Sequence, residues 1–186
     1  MKYIGYHGTS RSAGDKIIAQ QKFLDTTALD SWLGKGVYFF EDVQDAEWWC
    51  SSGSHAHRID HPMILQADLS PARVVDLLGS FSDVKQFRSF CDLVKGKCAR
   101  LPNGKPRANF MSLAVNLMAK KRRPDMILAG FDQNRKQWYP MHSQQAKQFP
   151  IVVAQIQYCI LNHDCIQEIR EYRKGEESHG DEGILG

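Results

Sequence analysis

The sequence predicts a single α+β domain in which short strands and helices alternate. The chain has 186 residues, enough for one domain with a sizeable core and too few for two comfortable ones. Its apolar fraction of 42% is ordinary for a folded protein, and strand-like runs recur along the chain with helical periodicity between them. We expect one domain over residues 1–172 and a polar, disordered tail over residues 173–186.

The N-terminal half is predicted to begin with a strand and to alternate strand and helix. Runs in which apolar residues alternate or dominate are interpreted as strands, and these cover residues 2–9, 36–40, 62–69 and 73–78. Helices are predicted over residues 12–21 and 42–50, the second opened by Asp42 as its N-cap.

The C-terminal half is predicted to contain three helices and two strands. Helices are expected over residues 81–94 and 108–121, with a basic loop over residues 95–106 between them. The second helix carries an apolar stripe formed by Phe110, Leu113, Ala114, Leu117 and Met118. Strands over residues 125–130 and 150–161 flank a long loop over residues 131–149, and a closing helix is predicted over residues 165–172.

Positive charge is concentrated in one segment. The net charge is only +3, yet no Asp or Glu lies between Leu93 and Pro124. The same segment holds the basic residues Lys95, Lys97, Arg100, Lys105, Arg107, Lys120, Lys121, Arg122 and Arg123. This asymmetry suits a polyanionic partner, because lysine and arginine dominate contacts to phosphates. A solvated surface is the alternative, and the pattern alone does not decide between the two.

Composition also bears on the compartment. No apolar run approaches the roughly 20 residues of a membrane helix, and the first residues lack the apolar core of a signal peptide. The five cysteines are odd in number and form no CxxC pair, so they are expected to be reduced and mostly buried. We therefore expect a cytoplasmic protein without a membrane partner.

Two short motifs stand in order near the N-terminus. The first is Tyr6-His7-Gly8-Thr9-Ser10 and the second is Gly34-Lys35-Gly36-Val37-Tyr38-Phe39-Phe40, with Trp49 eleven positions after Tyr38 and Cys50 next to it. The pair resembles the NAD+ clamp of the ADP-ribosyltransferase superfamily, in its diphtheria-toxin and poly(ADP-ribose)-polymerase branch. The resemblance covers roughly residues 1–172, and it implies two packed β-sheets that form an NAD-binding cleft with flanking helices.

The resemblance implies a role for each clamp residue. The backbone of Gly8 would bind the nicotinamide amide, and His7 would bind the adenosine ribose. Tyr38 and Trp49 would sandwich the nicotinamide ring by stacking. Thr9 or Ser10 would line the same pocket. The alternative is that these side chains are ordinary core residues. Close family members often carry a Ser three residues before the second aromatic, where this chain has Ala46.

The last strand departs from the family pattern at its catalytic position. The family places a Glu there, and an ungapped alignment gives Gln157. A carboxylate would stabilise the positive charge that develops as the glycosidic bond opens, whereas Gln has the same shape without the charge. We interpret Gln157 as an inactivating substitution in an otherwise intact site. A natural pseudoenzyme and a Glu supplied from elsewhere stay open.

By the same resemblance, a Gln two positions earlier and the loop before the strand would bind the acceptor. Gln155 lies on the same strand face as Gln157, because side chains alternate with period two. The loop interleaves Arg135 and Lys136 with Trp138 and Tyr139, a pattern typical of single-stranded nucleic-acid binding. Packing of Trp138 on the core is the alternative.

The sequence therefore predicts an NAD-dependent mono-ADP-ribosyltransferase that takes NAD as a substrate, needs no metal and acts on nucleic acid, with RNA favoured over DNA and protein. Its small size and basic segment resemble bacterial toxins of toxin–antitoxin or phage-defence systems, which implies an antitoxin protein as a further partner. A non-catalytic NAD or ADP-ribose reader is one alternative. A zinc module is a weaker one, built on Cys50, His55, His57 and His61.

Overall fold

The computed structural model describes residues 1–23, 33–52, 59–98, 110–132, 137–139 and 155–174, with the backbone alone at residues 52, 96–98, 110–111, 132 and 137–139. The described residues form eight strands: β1 (Tyr3–Ser10), β2 (Val37–Phe40), β3 (Pro62–Leu69), β4 (Val74–Asp76), β5 (Met126–Asp132), β6 (Gln137–Tyr139), β7 (Gln155–Ile160) and β8 (Ile166–Glu171). They also form four α-helices: α1 (Arg11–Gln20), α2 (Val43–Ser52), α3 (Phe81–Cys98) and α4 (Phe110–Arg122). The mixed α and β domain expected from the sequence is confirmed.

The strands form one mixed sheet. Their order is β4-β5-β7-β2-β1-β3-β8, and β6 pairs with the outer part of β5. Only the β4–β5 pair is parallel among the pairings of the described strands. The expectation of two separate packed sheets is thus wrong at the level of hydrogen bonding. The sheet is nevertheless narrow at one point, because β1 and β2 share a single registered pair, Tyr6 with Phe40.

Each sheet face carries its own hydrophobic core. The first core joins α3 and α4 to β4, β5 and β7, through residues such as Phe87, Met118 and Ile127. The second lies on the other face, where Phe39, Leu65 and Tyr158 pack with partly buried side chains of α1. Side chains alternate along each strand, so two residues that are adjacent in sequence face opposite cores. This division decides which predicted site residues can meet.

Several predicted elements are confirmed with small shifts at their ends. The strand over residues 62–69 is β3 without change. The backbone N–H of Gln44 donates to Asp42 Oδ1 at 2.7 Å, so Asp42 caps α2 as expected. In α4, Ala114 and Met118 of the predicted stripe are buried, and Leu113 and Leu117 pack partly against the first core. The four cysteines with described side chains are free and buried, as expected.

The predicted closing helix over residues 165–172 is wrong. A short 3₁₀ helix (His163–Cys165) leads instead into β8, which pairs with β3. A β-bulge interrupts this pairing between Gln66 and Asp68, and Glu168 takes a positive φ of 50° there. The bulge adds one residue to β8, so Ile166 and Ile169 both pack on the second core although they are three positions apart. That spacing is the one a helix would show.

Two predicted loops are partly regular structure. The loop over residues 95–106 starts too early, because α3 continues to Cys98. The loop over residues 131–149 contains the end of β5 and all of β6, which pair through Phe131 with Trp138. Residues 99–106, 133–136 and 140–149 lie outside the described part of the chain. So do residues 150–154 of the predicted last strand, whose described part is β7.

The outer edge of β8 is covered by one side chain. Gln21 follows α1 in the left-handed conformation, with φ of 48°. Its Nε2 donates to the carbonyl of Ile169 at 2.8 Å, and its Oε1 accepts from the N–H of Ile169 at 3.0 Å. The amide therefore binds the edge of β8 as a backbone peptide of a further strand would.

A buried carboxylate joins the ends of three strands. Asp125 is 4% exposed and precedes β5. Its oxygens accept hydrogen bonds from the N–H groups of Ala72 and Arg73, from the Arg73 guanidinium, and from the Asn162 amide. The Asn162 hydrogen bond and the bonds from Arg73 outweigh the effect of burial and lower the pKa of Asp125 to about 2.

Within the described residues, no helix is long and apolar enough to cross a membrane.

Candidate active site

Sheet register brings the three motif-bearing strands together. Tyr6 of β1 pairs with Phe40 of β2, and Phe40 pairs with Gln157 of β7. Paired residues on neighbouring strands point to the same sheet face, and so do residues two positions apart. Gly8, Tyr38, Phe40 and Gln157 therefore share the face on which α2 lies.

Gly8 lies directly beneath α2. A Cβ atom on Gly8 would come within 2.5 Å of Cys50 Sγ and 3.1 Å of the Ala46 carbonyl oxygen. The Trp49 ring lies just beyond, at 3.4 Å from the same point. Glycine is thus required for the close approach of helix and strand. Ala46 is fully buried in this contact, which is where the resemblance would place a hydroxyl.

His7 faces the second core, on the opposite side of β1 from Gly8. Its Nδ1 lies 2.7 Å from the carbonyl oxygen of Tyr38, and its ring packs edge-on against Phe23 and tilted against Phe39. A carbonyl only accepts, so Nδ1 carries the proton and Nε2 of the neutral ring is an acceptor. Burial lowers the pKa of His7, which favours this neutral form.

Tyr38 is fixed by its hydroxyl. The hydroxyl donates to the Gly34 carbonyl at 2.8 Å and accepts from the Leu33 N–H at 2.9 Å. Gly34 adopts a positive φ of 78°, which permits the turn that brings both groups to the hydroxyl. The half-buried ring packs against the first core. Its position is set before any ligand binds.

Phe40 is a site residue that the sequence reasoning missed. Its ring lies 6.3 Å from that of Trp49, and its register partner is Gln157. Phe40 thus forms the floor between the second clamp aromatic and the last strand. Trp49 itself is 38% exposed, so its ring covers Phe40 on one side and reaches solvent on the other. Only the strand register could have identified Phe40, because the motif does not give its partner.

The two glutamines of β7 form a buried amide pair. Both are 7% exposed, and Gln157 Nε2 donates to Gln155 Oε1 at 3.1 Å. Gln155 Nε2 is buried and meets no hydrogen-bond acceptor among the described residues. A buried donor without a partner costs about 1–3 kcal/mol. The reversed assignment of both amides would put Gln155 Oε1 at this buried position instead, so the pair presents one unpaired amide atom there among the described residues.

The nearest carboxylate by register points away from this pair. Glu41 follows Phe40, and its N–H donates to the Ile156 carbonyl of β7. Its side chain accepts a hydrogen bond of 2.7 Å from the Tyr158 hydroxyl, on the face of the second core. Burial and this hydrogen bond raise the pKa of Tyr158 well above its usual range. Glu41 therefore does not replace a Glu at position 157 in this arrangement.

Thr9 and Ser10 have structural contacts. Ser10 is the N-cap of α1, and its Oγ accepts from the Ala13 N–H at 3.4 Å. Thr9 pairs with Met63 of β3 and shares the His7 face. Their predicted place in the ligand pocket stays a prediction.

The predicted acceptor loop falls mostly outside the described residues. Arg135 and Lys136 lie outside the described residues. Trp138 and Tyr139 belong to β6, where their backbones pair with Phe131 and Gly130, and their side chains are not described. Gln155 pairs with Phe131 from the other side of β5. β6 thus lies one strand away from Gln155.

The described end of the basic segment is only partly free. Arg122 forms an ion pair of 2.6 Å with Asp83, which also accepts from the Asp76 N–H and so joins α4 to the start of α3. The Lys121 amine lies 6.0 Å from the centre of the Phe90 ring. Lys120 and Arg123 are exposed. Arg122 therefore serves the fold, and the free charge of this end is smaller than the sequence suggests.

The proposed zinc ligands divide between described and undescribed residues. Cys50 and His61 line a cavity of about 320 Å³ together with Ser51, Ile59, Asp60 and Pro62. His55 and His57 lie outside the described residues. Within the described part, no group of three or more His, Cys, Asp or Glu side chains is arranged to hold a metal ion.

Comparisons with known proteins give one limited match. No family model matches the chain, and no solved structure matches it. An uncharacterized protein of Methanocaldococcus jannaschii is 30% identical over 76 residues. The match covers 39% of this chain and 36% of that protein, so the chain spans well under half the length of the relative.

Proposed function

We propose that this chain is an NAD-dependent mono-ADP-ribosyltransferase whose catalytic position holds Gln157. The observation that carries the proposal is the register of three separate motifs. The His7-Gly8 motif, the Tyr38 motif with Trp49, and position 157 are far apart in sequence, yet β1, β2 and β7 are neighbours in the sheet. Gly8, Tyr38, Phe40 and Gln157 share one face.

The amide pair can accommodate a carboxylate at position 157. With Glu there, the Gln155 amide could turn its Nε2 toward the carboxylate and lose its unused donor. With Gln157 in the present orientation, one buried N–H of Gln155 has no acceptor among the described residues. The pair thus accommodates an acid as well as an amide, and the hydrogen bond to an acid would be charge-assisted, as expected if Gln157 replaces a catalytic Glu.

The proposed reaction transfers ADP-ribose from NAD to a nucleophile. The bond between the ribose C1′ and the nicotinamide nitrogen breaks, nicotinamide leaves with the electron pair, and the nucleophile binds C1′ and gives up its proton. Tyr38 and Trp49 would hold the ring, whereas His7, whose side chain faces the second core, would act on this site only by bonding the Tyr38 carbonyl. Glu at position 157 would stabilise the positive charge on the ribose, a contact worth about 10²–10³ in rate.

The test compares the present chain with Gln157→Glu. NAD should raise the melting temperature of both forms, because it binds the folded state. Tyr38→Ala should abolish this shift, whereas Phe81→Ala, at an exposed aromatic on α3, should leave it unchanged. Gln157→Glu should raise NAD turnover by about a hundredfold or more. Equal turnover in both forms would show that position 157 is not catalytic, and unchanged melting at millimolar NAD would overturn the cofactor site.

A second candidate is a reader that binds NAD or ADP-ribose without chemistry. One observation favours it: the Gln157 amide is neutral, buried and bonded to Gln155. A reader should bind ADP-ribose about as tightly as NAD and should gain no turnover from Gln157→Glu. Isothermal titration with both ligands, alongside the turnover assay, separates the two candidates.

The acceptor, the biological role and the compartment belong to the same proposal. We favour single-stranded RNA as the acceptor, with DNA and protein as alternatives. A role as a cytoplasmic bacterial toxin with an antitoxin partner is consistent with the resemblance. Expression of Gln157→Glu in bacteria, followed by mass spectrometry of RNA, DNA and protein, would identify the labelled class.

A further inference from the structure

One sheet face has a region that no described element covers. The second core fills one side of β1, β3 and β8, and α1 packs there. On the other side α2 covers the Gly8 end, as the Cys50 and Trp49 contacts show. Toward the start of β1 the same side is open in the described part of the chain, and Ile4 is 49% exposed there.

This open face carries aromatic, amide and cationic groups in register. Tyr6 pairs with Gln66, and Gln66 pairs with Arg170. Tyr172 lies two positions beyond Arg170, and its ring meets that of Tyr6 edge-to-face, with centroids 5.5 Å apart. Both tyrosines are partly exposed. We call Tyr6, Gln66, Arg170 and Tyr172 the open face.

The open face is continuous with the candidate active site. The registered row runs from Gln157 through Phe40 to Tyr6 and on to Arg170. Neighbouring strands lie about 4.8 Å apart, so Tyr6 is about 10 Å from Gln157 across the sheet. Phe40, which lies between them, is covered by the Trp49 ring, so a ligand on Tyr6 would pass beside Trp49 to reach position 157.

Two exposed cations, Arg173 and Lys174, follow Tyr172 directly. Arg170 is shared between the carboxylates of Asp68 and Glu168, so Lys174 is the cation best placed for a phosphate. A surface of half-exposed rings beside cations suits unpaired bases with their phosphates, because every base has a face that stacks on an aromatic ring. It suits duplex nucleic acid less, because paired bases have no free face.

We infer that the open face binds a single-stranded RNA, with bases stacked on Tyr6 and Tyr172 and phosphates held by Arg173 and Lys174. This inference rests on the proposed function, because the open face would be the acceptor-binding surface of the same site. It moves that surface from the basic end of α4 to β1 and β8.

Direct binding tests the inference without NAD. The probe is a fluorescein-labelled single-stranded RNA of mixed sequence, followed by anisotropy. Tyr6→Ala with Tyr172→Ala should weaken binding about five- to hundredfold for each base that loses its stacking partner. Tyr6→Phe with Tyr172→Phe keeps both rings and should retain binding. The matched control is Phe81→Ala, which removes an exposed ring from α3.

Salt dependence tests the phosphate contacts. Lys174→Ala should flatten the plot of log affinity against log salt by about 0.7. Lys16→Ala, an exposed lysine on α1 behind the sheet, should not change the slope. Equal losses in Phe81→Ala and in the tyrosine double variant would overturn the inference. The inference would also be overturned if the protein self-associates in ultracentrifugation and the same tyrosine changes abolish that self-association.

Failure of the inference and failure of the proposed function have different signatures. RNA binding that depends on the tyrosines, without an NAD-induced melting shift, would keep the open face and reject the NAD site. A normal NAD shift in the tyrosine double variant shows that the variant is folded. The remaining outcome concerns the wild-type protein. If it shows the NAD shift and labels a protein acceptor but does not change the anisotropy of the RNA, the open-face inference alone is rejected.

Discussion

Two buried polar groups on neighbouring strands, Asp125 before β5 and the Gln155–Gln157 pair on β7, are used in opposite ways. The Asp125 oxygens accept hydrogen bonds from four donors on three residues, Ala72, Arg73 and Asn162. The two glutamines form one hydrogen bond with each other, and the buried N–H of Gln155 has no acceptor among the described residues. The satisfied group holds the fold, and the unsatisfied one is where we propose that a ligand binds.

The largest test of this contrast removes the satisfied group. Asp125→Ala leaves the donors of Ala72, Arg73 and Asn162 without their acceptor, so we expect the free energy of unfolding to fall by about 3–5 kcal/mol. Urea unfolding followed by circular dichroism measures it. A loss below about 1 kcal/mol would contradict the structural role of this carboxylate.

Acid should reveal the same group. The folded pKa of Asp125 is about 2, below its ordinary value of 3.8, so the charged form is the one that folding stabilises. Its contribution, about 2 kcal/mol, is fully present above pH 4 and is lost as the pH falls from about 4 toward 2. The control is Asp125→Asn, which should flatten the fall in stability over this range. An unchanged pH profile in that variant would assign the acid sensitivity to other groups.

The smallest effect on stability should come from the glutamines. Gln155→Met with Gln157→Met removes both amides at nearly constant volume, so we expect a change in unfolding free energy within about 1 kcal/mol, in either direction. If the pair binds substrate, the rise in melting temperature with NAD should shrink at the same time. A large destabilisation would place the pair with Asp125, as part of the framework.

The sequence could predict elements whose pattern reflects one local rule. The β3 strand alternates along its length, and Asp42 stands before a helix, so both were found. The β8 strand was predicted as a helix because its bulge places Ile166 and Ile169 on one face, three residues apart. A bulge depends on the partner strand, and no local pattern announces it.

The candidate site divides in the same way. The motif supplied His7, Gly8, Tyr38 and Trp49, and the alignment supplied Gln157. Phe40 could not be predicted as the floor of the site, because its role depends on the pairing with Gln157. Arg122 was counted with the free basic residues, although its partner Asp83 lies 39 positions away in the chain. Both cases depend on a partner that is distant in sequence, and local sequence patterns do not identify such partners.

The Gln21 side chain has a consequence for the protein at high concentration. An exposed edge strand invites pairing with another chain, which is a common start of aggregation. The middle of β8 offers its N–H and C=O to Gln21 instead, and the opposite edge of the sheet, β4, has only three residues. Gln21→Ala would free the Ile169 peptide, so the folded protein should then precipitate at lower concentrations than the parent chain.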